Sequence, residues 1–194
     1  MPDRRDDARG KKVVFVSSCL LNTNNKVQGL ARYSGMCREV FETLCDNGLG
    51  IQQMDCPETL YLGIQRWWAT KNLYDNRGFR DHCRALAERV ATYMEEYARQ
   101  DYKVVAILSC DGSPTCGVTI TSYDKNWGGS PVELSYNDAV VEGKGVYIEE
   151  LEKVIKERGL EMPPFYGLAL DDESVDLDKI ITDFRAFIQT VCKD

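Results

Sequence analysis

The chain has 194 residues and a net charge of −7, and 28% of its residues are charged. This length suffices for one domain with a substantial core and does not require two. The negative charge and the dispersed Lys and Arg residues disfavour nucleic acid as the main ligand. No apolar run approaches the ~20 residues that a membrane span needs, so we expect a soluble protein.

The N-terminal residues 1–12 are polar and lack the apolar middle section of a secretory signal. We interpret them as a disordered or expression-derived terminus, followed by a single α/β domain over 13–194. Without an export signal, the expected location is the cytoplasm, where the eight cysteines are not expected to form disulfides. Some of them are therefore candidates for metal, cluster or nucleophile chemistry, and the rest for packing.

Four apolar segments have strand character, and amphipathic helical patterns lie between them. In chain order, the pattern predicts strands at 13–17, 51–55, 104–110 and 165–170, and helices at 39–47, 79–100, 146–158 and 177–191. This alternation predicts a doubly wound α/β fold with a mostly parallel sheet and helices on both faces. Residues 118–145 are too long for a simple turn, and we expect them to cover the sheet edge as a lid.

One cysteine follows each of the first three predicted strands, namely Cys19, Cys56 and Cys116. Because the carboxyl ends of parallel strands meet at one edge of the sheet, we expect these thiols to converge there. Three thiolates suit a soft metal or an iron–sulfur cluster. In a [4Fe-4S] cluster, one iron would then lack a protein ligand and could bind a substrate sulfur. Gly117 would let the backbone pass close to such a group.

The other five cysteines favour packing. Cys45 and Cys83 lie on apolar helix faces, and Cys192 is close to the C-terminus. Cys37 precedes a helix and Cys110 ends a strand, so these two are reserve ligands. Two other interpretations stay open: a zinc-bound or merely thiol-rich α/β protein, and an iron–sulfur protein that binds or carries sulfide without turnover.

Polar residues next to the three cysteines are candidates for proton chemistry. Glu58, two residues after Cys56, is the best candidate for moving a proton, and the Ser113 hydroxyl is a candidate for positioning water or substrate. Asp111 precedes a glycine, and we interpret it as a turn residue. Asp171 we interpret as part of the start of a helix.

Taken together, these residues resemble the DUF523-type family that includes thiouracil desulfurase. The resemblance rests on three short motifs within roughly residues 13–120: Cys19-Leu-Leu with Arg32-Tyr-Ser-Gly, Cys56-Pro-Glu, and Ser113-Pro-Thr-Cys-Gly. It implies a [4Fe-4S] cluster held by Cys19, Cys56 and Cys116 and a small thiolated molecule as substrate. The implied reaction is a non-redox removal of sulfur from a thiocarbonyl carbon, in which the open iron takes the sulfur and water supplies the oxygen. Glu58 and Ser113 match the positions expected to manage that water and its protons.

Three segments close to the cysteines depart from the family pattern. Asn22 stands where glycine is usual, and Cys110-Asp111-Gly112 replaces a basic residue before the Ser-Pro motif. Residues 59–63 replace the usual Gly-Gly after Cys-Pro-Glu. These changes surround the implied ligands without removing them. We therefore expect a desulfurase relative whose substrate, such as a thiolated nucleobase or nucleoside, need not be thiouracil.

Overall fold

The computed structural model describes residues 7–129, 135–172 and 174–193. In chain order, its strands are β1 (Lys12–Ser17), β2 (Gly50–Met54), β3 (Lys103–Cys110), β4 (Ile120–Ser122), β5 (Val140–Glu142) and β6 (Phe165–Leu168). Four of them form a parallel sheet in the order β2-β1-β3-β6, and β4 pairs with β5 antiparallel. The predicted doubly wound α/β fold is confirmed, and the four predicted strands agree with the sheet strands to within two residues.

The helices are α1 (Ser18–Leu21), α2 (Arg38–Asp46), α3 (Pro57–Leu62), α4 (Lys71–Tyr74), α5 (Arg77–Ala98), α6 (Tyr136–Ala139), α7 (Val146–Glu157) and α8 (Leu177–Lys193). A short 3-10 turn covers Thr23–Asn25. The four long helices were predicted to within two residues at each end. The four short ones were not, because four to six residues do not reveal a helical period.

The connections of the sheet place a crevice between β1 and β3. The chain passes from β1 to β2 in one direction and from β2 through β3 to β6 in the other. With right-handed crossovers, the pair α5 and α7 covers one face and the pair α2 and α8 covers the other, in agreement with the observed packing of each pair. In such sheets, ligands bind beyond the carboxyl ends of the strands where the direction changes.

The N-terminus and residues 118–145 contain secondary structure that the sequence did not predict. Lys12 already belongs to β1, so the disordered terminus predicted for 1–12 is too long, and 1–6 lie outside the described residues. Within 118–145, the structure describes β4, α6 and β5, whereas 130–134 lie outside the description. None of the described helices is both long and apolar enough to cross a bilayer.

Candidate functional site

A pocket of about 570 Å³, including its open mouth, lies beyond the carboxyl ends of β1, β2 and β3. The structure brings together in it all five site residues predicted from the sequence, which are Cys19, Cys56, Glu58, Ser113 and Cys116. Their placement follows from the parallel sheet, because each of the first three strands delivers its following loop to the same edge. Their roles as ligands and proton carriers remain predictions at this point.

Cys19 is held in the first turn after β1, within α1. The chain then turns again, because the Asn22 side chain accepts a hydrogen bond from the Asn24 backbone N–H at 3.1 Å and so begins the 3-10 turn. The Thr23 hydroxyl donates to the Tyr33 carbonyl at 2.8 Å and fixes this turn on the following loop. The turn that begins at Asn22, where the family usually has glycine, thereby carries Lys26 into the pocket.

Cys56 caps the N-terminus of α3. Its sulfur accepts a hydrogen bond from the Thr59 backbone N–H at 3.4 Å, and Pro57 occupies the first helical position, where its missing N–H costs nothing. Burial raises the pKa of the Cys56 thiol above its usual value, and the neighbouring carboxylate of Glu58 raises this pKa further. In the protein alone, Cys56 is therefore held as a thiol at neutral pH.

Cys116 is fixed by hydrogen bonds within its own loop. The Ser113 hydroxyl oxygen accepts from the backbone N–H of Cys116 at 3.1 Å and of Thr115 at 3.3 Å. The Cys116 carbonyl in turn accepts from the buried Ser109 hydroxyl at 2.7 Å. Burial raises the pKa of the Cys116 thiol well above its usual value. A bound metal or cluster would have to supply the positive charge that keeps this sulfur ionised.

The N-terminus of α7 holds the same loop from outside. The backbone N–H groups of Val146 and Tyr147 donate to the carbonyls of Pro114 and Thr115 at 3.1 and 2.9 Å. A Cβ atom at Gly145 would lie only 2.3 Å from the Thr115 carbonyl carbon, so the helix approaches this closely because position 145 is glycine. The loop thus provides hydrogen-bond acceptors that the first turn of a helix otherwise lacks.

Asp111 and Gly117 both serve the loop itself. The Asp111 carboxylate accepts from the backbone N–H groups of Val118 at 2.6 Å and Thr119 at 3.0 Å, so its prediction as a turn residue is confirmed. For Gly117, the structure gives a reason that the sequence did not: a Cβ there would lie 2.2 Å from the Ile120 carbonyl oxygen, so the returning backbone already requires glycine. The predicted close approach of Gly117 to a bulky bound group stays a prediction.

A buried ion pair joins Glu58 to Arg66 on one side of the pocket. The Arg66 Nε donates to Glu58 Oε2 at 2.7 Å, and the side chains are 4% and 9% exposed. Glu58 Oε1 accepts from the Thr115 hydroxyl at 2.8 Å, and Oε2 accepts from the Tyr74 hydroxyl at 3.4 Å. Arg66 is held in turn by the Asn25 carbonyl, to which it donates at 2.8 Å. The negative charge of Glu58 is thereby paired and its position is fixed.

A second buried ion pair joins Lys26 to Asp171. The Lys26 ammonium lies 2.6 Å from both carboxylate oxygens and 3.5 Å from the Cys110 sulfur. Burial alone would lower the pKa of Lys26, but the nearby sulfurs of Cys110 and Cys19 and the carboxylate of Asp171 raise it above its usual value. The interpretation of Asp171 as part of a helix start was wrong, because α8 begins only at Leu177 and Asp171 is buried in the pocket wall.

Of the two reserve ligands, Cys110 lies in the pocket and Cys37 lies outside it. Cys110 lines the pocket, and its pKa is raised well above the usual value by a hydrogen bond with Cys19 and by burial. Cys37 is buried beside α2, where its thiol donates to Glu39 at 3.4 Å. Cys83 is buried within α5, so its predicted packing role is confirmed, whereas Cys45 is exposed, so the packing role predicted for it was wrong.

The three predicted ligands share the pocket without forming a compact single-ion site. Within 7–129, 135–172 and 174–193, no group of three or more His, Cys, Asp or Glu side chains is close enough together to hold one metal ion. In a [4Fe-4S] cluster, each cysteine binds a different iron, so the sulfurs need only surround a common space. Cys19, Cys56 and Cys116 line one pocket, and the buried cations Lys26 and Arg66 in its wall would offset the negative charge of three thiolates.

Comparison with known proteins agrees with the site. A family model described as "Putative 2-thiouracil desulfurase" matches residues 11–162. The chain belongs to this family. The resemblance inferred from the motifs is therefore confirmed, and the match includes the whole pocket described above except Asp171. An uncharacterised protein of Methanocaldococcus jannaschii is 40% identical over 110 residues, which are 57% of this chain and 70% of that protein. No solved structure matches the chain.

Four polar pocket residues of this family member were missed in the sequence, namely Lys26, Arg66, Thr115 and Tyr136. Each stands in a loop or at the start of a short helix, where no hydrophobic period marks it. Thr115 lies inside the Ser-Pro-Thr-Cys-Gly motif, so its position next to Cys116 could have identified it. Lys26 had no such signal, because its partner lies 145 residues away in the chain.

Proposed function

We propose that the protein is a desulfurase that removes sulfur from a small thiolated compound, with a [4Fe-4S] cluster held by Cys19, Cys56 and Cys116. The carrying observation is that one pocket at the switch point of the sheet collects these three thiols and a buried, paired carboxylate. The family match supports the reaction class. When bound, the cluster would supply an iron without a protein thiolate, a Lewis acid with affinity for sulfur.

The proposed reaction is a hydrolysis and needs no oxidant or reductant. A thiocarbonyl compound and water give the carbonyl compound and hydrogen sulfide, so the C–S bond is replaced by a C–O bond and the two protons of water leave with the sulfur. A group beside the attacked carbon must therefore take a proton from water and release it later. Glu58 is the carboxylate that the pocket places next to two of the three thiols, Cys56 and Cys116.

The contacts of Glu58 leave it able to accept that proton. Its Oε1 atom accepts one hydrogen bond, from Thr115, so a lone pair of this oxygen remains for water. Arg66 occupies Oε2 and fixes the orientation of the carboxylate. We therefore assign Glu58 as the general base and Arg66 as a positioning residue.

Ser113 is connected to Glu58 through Thr115. Because the Ser113 oxygen accepts two backbone N–H groups, its own proton is free to be donated. The Thr115 hydroxyl lies 3.3 Å away and donates to Glu58, so Ser113 donates to Thr115. We assign Ser113 to this chain of hydrogen bonds, in which it orients Thr115 and through it the carboxylate.

The rest of the lining suits a small flat molecule. Val27, Leu30, Trp68 and Ala69 contribute apolar surface, and Trp68 is set edge-on against Trp127 with ring centres 6.0 Å apart. Apolar walls exclude water from the reacting carbon except where polar groups hold it. This combination favours a thiolated heterocycle over a long or highly charged substrate.

The test is sulfide release by anaerobically reconstituted protein from a panel of thiolated bases, nucleosides and thioamides. We expect turnover by the wild type and a 100- to 10,000-fold or so decrease for Glu58→Gln, the range typical of a lost general base. Glu157→Gln, which changes an exposed carboxylate on α7, is the matched control and should leave turnover unchanged. Full activity of Glu58→Gln would contradict the mechanism. A reconstituted cluster without sulfide release from any compound would favour a protein that only binds or carries sulfide.

A further inference from the structure

The hydroxyl of Tyr136 is a buried polar group in the pocket without a hydrogen-bond partner among the described residues. The ring lies directly over Gly112, where a Cβ atom would come within 1.7 Å of the hydroxyl oxygen. A buried hydroxyl that makes no hydrogen bond is destabilising, and phenylalanine would fill the same space without this cost. A ligand that accepts a hydrogen bond there would remove the cost.

Tyr136 lies close to the Lys26–Asp171 ion pair. Burial raises the pKa of the Tyr136 hydroxyl, and the nearby Cys110 sulfur and Asp171 carboxylate raise this pKa further. The group is therefore a neutral O–H that can donate a hydrogen bond to an acceptor in the pocket. Lys26, Cys110 and Asp171, which all influence this pKa, line the same pocket as Tyr136.

Asp171, which lines the same pocket as that hydroxyl, has acceptor capacity left. Its Oδ2 atom accepts from Lys26 at 2.6 Å and from the Cys110 thiol at 3.5 Å, whereas its Oδ1 atom accepts from Lys26 at 2.6 Å. A carboxylate oxygen has two lone pairs, so Oδ1 retains one for a ligand N–H. The wall thus offers one donor, the Tyr136 hydroxyl, and one acceptor, Asp171 Oδ1.

We propose that Tyr136 and Asp171 form a specificity subsite that recognises a carbonyl group and the ring N–H beside it on the substrate. Tyr136 donates to the carbonyl oxygen, Asp171 accepts from the N–H, and Lys26 is the positioning residue that holds Asp171. This subsite rests on the proposed function and narrows its substrate to a small thiolated heterocycle with such an edge. Open-chain thioureas and thioethers lack the edge and would bind weakly.

The test compares the affinity of uracil, the unreactive oxygen analogue, for reconstituted wild-type protein and for Tyr136→Phe by calorimetry. Loss of one buried hydrogen bond should weaken binding about tenfold. Tyr93→Phe, which changes an exposed tyrosine of α5, is the matched control and should bind like the wild type.

The hydrogen-bond acceptor, Asp171, is tested by changing the ligand, because substitution of Asp171 would leave Lys26 buried and unpaired. Uracil methylated on both ring nitrogens, so that no N–H remains beside either carbonyl, should bind wild type about tenfold more weakly than uracil methylated on both ring carbons.

Each outcome separates the subsite from the desulfurase proposal. Equal affinity of wild type and Tyr136→Phe, with sulfide release intact, would overturn the subsite and leave the proposed function. Absence of sulfide release together with Tyr136-dependent uracil binding would reject the desulfurase and support the subsite. Turnover of other thiolated compounds without any binding of uracil would overturn the subsite alone.

Discussion

The two buried ion pairs of the pocket differ in how their cations are held. Arg66 donates to Glu58 and also to the Asn25 carbonyl at 2.8 Å and the Thr59 hydroxyl at 3.1 Å. Lys26 contacts Asp171 and, at 3.5 Å, a thiol. The guanidinium therefore keeps partners if its carboxylate changes its protonation state, whereas the ammonium depends on its carboxylate. This difference supports the proposed roles of Glu58 as the general base and of Asp171 as part of a fixed ion pair.

The largest expected effect is on stability when either carboxylate is removed. Asp171→Ala should lower the free energy of unfolding by about 3–5 kcal/mol, because it leaves a buried ammonium without its counter-charge. Glu58→Ala should cost less, about 2 kcal/mol, because Arg66 retains neutral oxygen partners. Urea unfolding of the cluster-free proteins at pH 7 measures both values.

A double variant separates charge burial from general damage to the fold. Lys26→Met combined with Asp171→Leu replaces the pair by apolar side chains and should recover most of the stability lost in Asp171→Ala. Equal losses for Asp171→Ala and Glu58→Ala, or no recovery in the double variant, would contradict the distinction between the two cations.

A smaller effect is expected from the hydrogen-bond chain on the Glu58 side. Thr115→Val removes the hydroxyl that donates to Glu58 Oε1 and should decrease kcat about 10- to 100-fold with little change in KM. Thr115→Ser keeps the donor and should recover most of the activity, which a purely structural role of the methyl group would not allow. Steady-state kinetics of sulfide release measures the effects on kcat and on KM separately. Similar activities of the Val and Ser variants would count against this chain.

The smallest effect concerns the reactivity of Cys56 in cluster-free protein. The thiolate is the form that alkylating agents attack, and the raised pKa of Cys56 leaves less thiolate at pH 8 than an ordinary cysteine has. We expect Cys56 to react more slowly than the exposed Cys45, and its rate to increase as the pH rises through and above 9. Mass spectrometry after timed alkylation resolves the two sites.

Glu58→Gln provides the internal check on this reactivity. Because the charge of Glu58 is the second cause of the raised pKa, its removal should speed the alkylation of Cys56. It should not affect Cys110, which is enclosed beside Lys26 on the other side of the pocket. A Cys56 that reacts as fast as Cys45 would show that its thiol is not held as described.

The sequence predicted the parts of the molecule that depend on repeated patterns. Buried parallel strands are nearly continuous apolar runs, and the long helices repeat their apolar positions every three to four residues, so these elements and the edge that collects Cys19, Cys56 and Cys116 could be derived. Glu58 and Ser113 were chosen from the polar residues next to these cysteines, and the family motifs supported the same two residues.

The polar wall of the pocket could not be derived in the same way. Lys26 and Asp171 are single charged residues in loops 145 residues apart, and only the folded chain places them together. Asp171 was misread because acidic residues before a helix are common helix-start signals. No helix or strand pattern was found around Tyr136. Its hydroxyl is of interest because it is buried without a hydrogen-bond partner among the described residues, and only the folded structure can show this.

The central claim is that Cys19, Cys56 and Cys116 hold an iron–sulfur cluster in this pocket. Its most direct test is anaerobic reconstitution followed by iron and acid-labile sulfide counts for wild type, Cys116→Ser and the control Cys83→Ser, a buried cysteine of α5. The account predicts about four irons and four sulfides for wild type and Cys83→Ser, and loss of this cluster in Cys116→Ser. A full cluster in Cys116→Ser, or none in the wild type, would contradict it.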